Sequence, residues 1–255
     1  MQRKKLDDLE WLEFDLLSEI PRLKHAVYLR QGGVSKAPYD SLNTGYSVGD
    51  DLSDVRQNVD KIKSHLKKEN SNWTNLVYGK ANHQKAIAFV NDQSPEEVAD
   101  FDGLITASPG TTLMMKHADC QVAIFYDTKN HVIANIHSGW RGSVVNIYKE
   151  AVESMKLAFG SNPAEILVCI SPSLGPEEAE FIHFRTEIPE EYWSFQVRPT
   201  YFDFWSISEY QLQGSGILPH HIEVARQSTY SNSYDFFSHR RDKVTGRHAT
   251  CVTLS

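Results

Sequence analysis

The chain has 255 residues, of which 40% are apolar and 23% charged, enough to bury a sizeable core without disulfides; a disordered tail or a collagen-like repeat is excluded. A formal charge of −7 argues against a nonspecific nucleic-acid binder, whose phosphate contacts need positive potential. Cys120, Cys169 and Cys251 are too widely spaced for a disulfide framework, and there is no signal-peptide core or long apolar run, so a cytoplasmic protein without a membrane span is expected.

No repeat or low-complexity linker interrupts the chain, so residues 1–255 are expected to form one α/β domain. Residues 25–30 read as a strand, followed by a glycine-containing loop through Gly32, Gly33 and Gly45. The spacing of Leu52, Val55, Val59, Ile62 and Leu66 predicts a helix over 52–68, capped by Asp51 or Ser53. Strands are expected near 75–79, 85–90, 102–106 and 112–116. Residues 121–126 (QVAIFY) and 132–136 (VIANI) flank turn material at Asp127–Asn130 and read as a β-hairpin. Apolar residues at helical spacing then predict a helix over 143–159, stopped at Gly160. Residues 166–170 (ILVCI) form a buried strand, and the strand–helix–strand order implies a partly parallel sheet. Beyond it, 203–213 read as helix and 221–225 as strand. Arg240, Arg241 and Arg247 surround a turn at Val244–Gly246, where most such charges are solvated and phosphate binding is a minor expectation.

A hairpin turn centred between Thr128 and Lys129 would set Cys120 directly opposite His137, their Cβ atoms roughly 5 Å apart. A thiol and an imidazole so placed serve either as nucleophile and base or as two ligands of one zinc. A third ligand would leave an open position, as in catalytic zinc sites. His83 is a candidate, but spacing alone does not select it from 11 histidines. The turn His137-Ser138-Gly139-Trp140-Arg141-Gly142 leads into the helix. Gly139 and Gly142 permit tight or left-handed backbone, and free N–H groups beside Arg141 make an anion site. The loop Ser171–Pro176, which includes Ser173, should border the same crevice.

His117-Ala118-Asp119-Cys120 and His137-Ser138-Gly139-Trp140-Arg141-Gly142 resemble the YfiH-like laccase-domain family, with patterns close to T-A-D-C-x-P and H-A-G-W-R-G. Arg30–Ser35, Ser41-Leu42-Asn43, Gly49-Asp50-Asp51, Phe236–Arg241 and Gly246-Arg247 are similar to its remaining motifs, in order along nearly the whole chain. Members of this family were once called multicopper polyphenol oxidases and are now described as purine nucleoside phosphorylases.

The resemblance implies mixed β-sheet layers flanked by helices, a fold shared with a group of bacterial toxin deamidases. It also implies a metal held by His83, Cys120 and His137, with zinc the usual ion and copper the lesser expectation. One such site is not a multicopper constellation, so oxidase chemistry is not expected. The implied substrates are small purine nucleosides (adenosine, inosine, guanosine or methylthioadenosine) with phosphate, and adenosine deamination belongs to the same family. Cys120, His137, Asp119 and Arg141 are then the catalytic candidates. Asp119 would carry a proton or brace the turn. Arg30, Asn43, Arg141 and Ser173 are the substrate-binding candidates, with Arg30, Arg141 and the helix start on phosphate. No nucleic-acid or membrane partner is implied, and the oligomeric state stays open.

Ala81, His117, Gln121, Ser138, Ser171, Val59 and Ser228 depart from the pattern. The first two bear on substrate preference, and His117 is a conceivable extra metal contact. Three other readings remain at this point. Cys120 and His137 could form a hydrolase or deamidase pair. The chain could act as a peptidoglycan editing factor on muropeptides. It could also be a binding protein that kept the pocket without turnover.

Overall fold

The computed structural model describes residues 1–255. Its strands are β1 (Gln2–Leu6), β2 (Leu9–Glu13), β3 (Leu23–Tyr28), β4 (Asn75–Lys80), β5 (Ile87–Phe89), β6 (Glu97–Ala99), β7 (Gly103–Thr106), β8 (Thr111–His117), β9 (Gln121–Asp127), β10 (Val132–Ser138), β11 (Ile166–Ile170), β12 (Gln196–Arg198), β13 (Tyr201–Phe202), β14 (Ile222–Val224) and β15 (His248–Leu254). The α-helices are α1 (Asp15–Ser18), α2 (Leu52–Glu69), α3 (Trp140–Val144), α4 (Ile147–Phe159), α5 (Phe184–Glu187), α6 (Phe204–Gly214) and α7 (His239–Asp242). No helix is long and apolar enough to cross a membrane.

Two mixed sheets dominate. The first runs β1-β2-β3-β15-β8-β4-β6 and the second β14-β11-β9-β10-β7-β5, while β12 and β13 pair separately. They pack face to face through one cluster that takes Val27, Leu113, Met115 and Val252 from the first sheet and Leu104, Val122, Ile124 and Ile133 from the second. The outer face of the first sheet is covered by α2 through Ile62 and Leu66. The outer face of the second is covered by α4 and α6 through Ile147, Ala151, Met155 and Leu212. The order is therefore helix, sheet, sheet, helix. Strand β9 shows why its sequence is an unbroken apolar run: Val122 and Ile124 enter the inter-sheet core, and Ala123 and Phe125 the helix-facing one.

The expected helix over 52–68 is α2, and its N-cap is Asp51, which accepts from the backbone N–H of Ser53 at 2.7 Å. Val55, Val59, Ile62 and Leu66 are buried, but Leu52, at the first helical position, is exposed. The unit linking β10 to β11 is also present. The two strands are parallel but not neighbours, because β9 lies between them and pairs antiparallel with both.

Three expectations are corrected. The single helix over 143–159 is two, broken at Asn146, whose left-handed backbone (φ 54°, ψ 61°) turns α3 into α4. The hairpin register is shifted, because the turn spans Thr128–His131 and pairs Val132 with Asp127; His137 therefore faces Val122, and Cys120 follows next in register with Gly139. The C-terminal segment, read only as a turn with arginines, carries β15, the central strand of the first sheet.

Candidate metal centre and its two clefts

Three connections converge at one end of the paired sheets. His137 lies near the end of β10. Cys120 sits in the three-residue link through which the chain passes from β8 in the first sheet to β9 in the second. His83 lies in the loop between β4 and β5. Their ligand atoms all fall within 4.8 Å of one another. The two-residue register shift preserves the face of the strand, so Cys120 and His137 still meet, as diagonal rather than direct partners.

Asp102 organises this group. The pairing of β7 with β10 sets it beside His137, whose Nδ1–H donates to Asp102 Oδ1 at 2.9 Å. The same carboxylate accepts the backbone N–H groups of Asn82, His83 and Gln84 at 3.1, 3.0 and 3.0 Å. One buried acid therefore orients one imidazole and fixes the loop that carries the other. Its Nδ1 committed, His137 has Nε2 left to act as a ligand. Burial opposes charge on His137, but Cys120 and Asp102 outweigh it and hold the imidazole up at about 9. Burial and the neighbouring His137 lower His83. Burial also works against the Asp102 carboxylate, yet its bonds to His137 and to the loop amides keep it below the usual range.

The Cys120 turn is braced from two sides. Asp119, at φ 75°, accepts Thr229 Oγ1–H at 2.7 Å and the Arg240 backbone N–H at 2.6 Å. Both of its oxygens are thus engaged in holding the turn. His117 is buried, and burial pushes its pKa well down, so the ring is neutral. Its Nδ1–H donates to the Cys120 carbonyl at 3.1 Å, and its Nε2 accepts from Thr250 Oγ1 at 2.8 Å. No nitrogen remains for a metal, so the extra contact conceived for His117 does not form.

The donor set fits a metal ion. A sulfur and two imidazole nitrogens form the ligand pattern of zinc sites that keep an open position. Space is left for it as well: a Cβ at Gly139 would lie 2.9 Å from His83 Nδ1 and 3.2 Å from Cys120 Sγ. Gly139 has φ −73°, so it supplies room rather than an unusual backbone.

Two clefts open onto these residues. The first, about 420 Å³, is walled by Trp140, Phe181, Phe204 and Leu174, with Arg141 and Lys243 at its polar side. Arg141 is exposed and lies 4.4 Å over the Trp140 ring. Ser173 lines this cleft, as the crevice argument expects, and accepts Trp205 Nε1–H at 2.7 Å. The second cleft, about 460 Å³, holds His83, Cys120 and His137 together with Tyr46, Tyr78, Lys116 and Arg247. A larger groove of about 800 Å³ between α4 and α6, lined by Lys149, Glu150 and Gln213, reaches none of the three.

Two of the expected substrate-binding residues, Arg30 and Asn43, line neither cleft. Arg30 donates to the carbonyls of Asp40 and Ser233 at 2.9 and 3.0 Å and to Asp40 Oδ2 at 3.2 Å, stapling loops outside both clefts. Asn43 is fully buried, its side chain bonded to Asp50, Gly45 and Arg247. Arg241 is likewise a staple, donating to the carbonyls of Thr229, Tyr230 and Phe236. Sequence reasoning missed Asp102, because its role depends on a non-local strand pairing that no short spacing reveals.

Residues 24–255 match the family model described as "Multi-copper polyphenol oxidoreductase laccase". A Bacteroides thetaiotaomicron protein named purine nucleoside phosphorylase is 31% identical, with 92% of each chain covered. Escherichia coli YfiH, also named a purine nucleoside phosphorylase, is 28% identical over 88% of this chain and 91% of its own. The crystal structure of the hypothetical protein YfiH from Bacillus licheniformis superposes with a TM-score of 0.86 at 26% identity, covering 97% of each chain. YlmD from Geobacillus stearothermophilus superposes equally well, at 25% identity over 98% of this chain and 97% of its own.

Proposed function

This chain belongs to the multi-copper polyphenol oxidoreductase laccase family, and we propose that within it the protein is a zinc-dependent purine nucleoside phosphorylase. Adenosine, inosine, guanosine and methylthioadenosine are the proposed substrates, with adenosine deamination as a second activity of the same pocket. The whole chain would act as one domain in the cytoplasm. The observation that carries the reading is the His83–Cys120–His137 group, backed by Asp102 and opening onto an aromatic-walled cleft.

In the proposed reaction a phosphate oxygen bonds to ribose C1′ as the C1′–N9 bond breaks. The purine leaves with the bonding electrons, and the proton of the hydrogen phosphate ends on a base nitrogen. Trp140, Phe181 and Phe204 offer the flat apolar surfaces a purine packs against, and Arg141 offers a donor fork at the mouth of their cleft. His83, Cys120 and His137 would hold the ion, and Asp102 would keep His137 oriented. When bound, zinc supplies fixed positive charge beside the atoms where negative charge develops. Asp119 is assigned to positioning rather than proton transfer, since both of its oxygens are engaged. Zinc is preferred to copper because the ligand group is single and suits a tetrahedral ion with one position open.

The test is purified protein with inosine or adenosine and phosphate. We expect about one zinc per chain, release of the free base, and loss of both in Cys120→Ala. Base release unaffected by Cys120→Ala, or none from metal-loaded protein, overturns the reading. One observation favours a second reading: Asp102, His137 and Cys120 are also aligned as acid, base and nucleophile. A cysteine hydrolase acting on muropeptide or amide bonds would keep its activity after chelation, whereas the phosphorylase would lose it.

A further inference from the structure

Among the cations that line the second cleft, Lys116 and Arg247 are partly buried and make no ion pair. Lys116 extends from the end of β8 between two tyrosines, with Nζ 3.2 Å from the Tyr78 ring centroid and 4.3 Å from that of Tyr46. The rings themselves are stacked, 5.8 Å apart at 21°. Arg247 lies just before β15, and its only side-chain hydrogen bonds run from one terminal nitrogen to the carbonyls of Thr245 and Gly246. Neither cation has a carboxylate within 4.0 Å, although the chain carries a net charge of −7. Glu97 stands at the exposed rim and accepts the Tyr78 hydroxyl at 2.9 Å.

Register puts the two cations on one face. Lys116 pairs with Ala249 across the β8–β15 ladder, so the residue two before Ala249, Arg247, projects to the same side. Room for the Arg247 stem exists because Gly45 has no side chain, since a Cβ there would lie 2.8 Å from Arg247 Cγ. Partly desolvated cations without partners are costly. Burial pushes Lys116 down to about 7, against the opposing pull of the Glu97 and Glu96 charges.

We propose that Lys116 and Arg247 form an oxyanion subsite that takes inorganic phosphate in the second cleft, which shares His83 and Cys120 with the aromatic cleft. This rests on the phosphorylase reading and deepens it, since nucleoside and phosphate would approach the shared residues from different clefts. It also replaces the anion site expected beside Arg141, because α3 is only 5 residues long and Arg30 is engaged elsewhere. Tyr46 and Tyr78 act as positioning residues that keep the Lys116 ammonium in place.

The experiment titrates inorganic phosphate into the zinc-loaded full chain by calorimetry, with melting curves confirming that each variant is folded. Lys116→Met should weaken phosphate binding about tenfold or more, Lys116→Arg should stay within about threefold, and Arg141→Ala should leave it unchanged. Phosphate should also shield Lys116 from acetic anhydride, as read by peptide mass spectrometry. Unchanged affinity in Lys116→Met, loss in Arg141→Ala, or no shielding overturns the subsite. Phosphate binding with this variant pattern but no base release would keep the subsite and remove the phosphorylase reading. Base release with an unchanged phosphate KM in Lys116→Met would do the reverse.

Discussion

A Cβ at Gly139 would crowd His83 Nδ1 at 2.9 Å and Cys120 Sγ at 3.2 Å, closer than ordinary contact. Its backbone is ordinary for any residue, so Gly139→Ala should fold and yet displace these two ligand side chains. We expect metal affinity to fall at least about tenfold, measured by competition with a chromophoric chelator, with little change in melting temperature. An alanine variant that binds zinc as tightly as the parent would mean the ion is held elsewhere. Asp102→Asn tests the support behind the ligands: it replaces one carboxylate oxygen with a donor that cannot accept from His137 or the loop amides. Zinc binding should weaken about 10–100-fold. The ligands themselves were legible as a motif, and the hairpin alone put the thiol and the imidazole on one face, though directly opposite rather than diagonal. Asp102 was not, because it enters the site through the β7–β10 pairing between segments far apart in sequence.

At the scale of elements, patterning identified most segments but not their joints. The β9–β10 hairpin was legible from two apolar runs around polar residues; its register was not, because the expected turn, centred between Thr128 and Lys129, lies one residue later, at Thr128–His131. The error was harmless to the site because a shift by two keeps every side chain on its face. Strand β15 escaped notice because His248–Leu254 is buried on both sides and lacks the alternation of a half-exposed strand. Apolar spacing runs continuously across the α3–α4 break; only the left-handed Asn146 marks it, with its side chain capping Lys149 N–H at 3.0 Å. Asn146→Ala removes the cap and the polar side chain that lets asparagine tolerate positive φ, so unfolding in urea should show about 1–2 kcal/mol less stability. Asn146→Gly loses the cap but not the backbone freedom and should cost a few tenths of a kcal/mol, roughly. Equal losses in both variants would rule out the backbone as the reason for asparagine there.

At the scale of the whole molecule, two sheets between helical layers bury histidines that the fold needs neutral. His25 on β3 accepts the Phe14 backbone N–H at Nε2, 2.8 Å away, and burial pushes its pKa down to about 4. His248 on β15 accepts the Phe237 N–H in the same way at 2.8 Å, and burial lowers it to about 3. In the unfolded chain both titrate near 6.5. Below that value the unfolded state binds more protons than the folded one, so stability rises with pH and is lost as pH falls from 6.5 towards 4. Each histidine should account for about 2 kcal/mol of that loss by about pH 5, well before most carboxylates protonate. Urea unfolding at about pH 7.5, 6 and 5 reads the slope directly. His25→Gln supplies an amide oxygen for the Phe14 N–H without a titrating ring, and should remove about one proton from the slope. A stability that is flat from about pH 7.5 to 5, or a slope unchanged in His25→Gln, would mean that these rings are not held neutral by the folded chain.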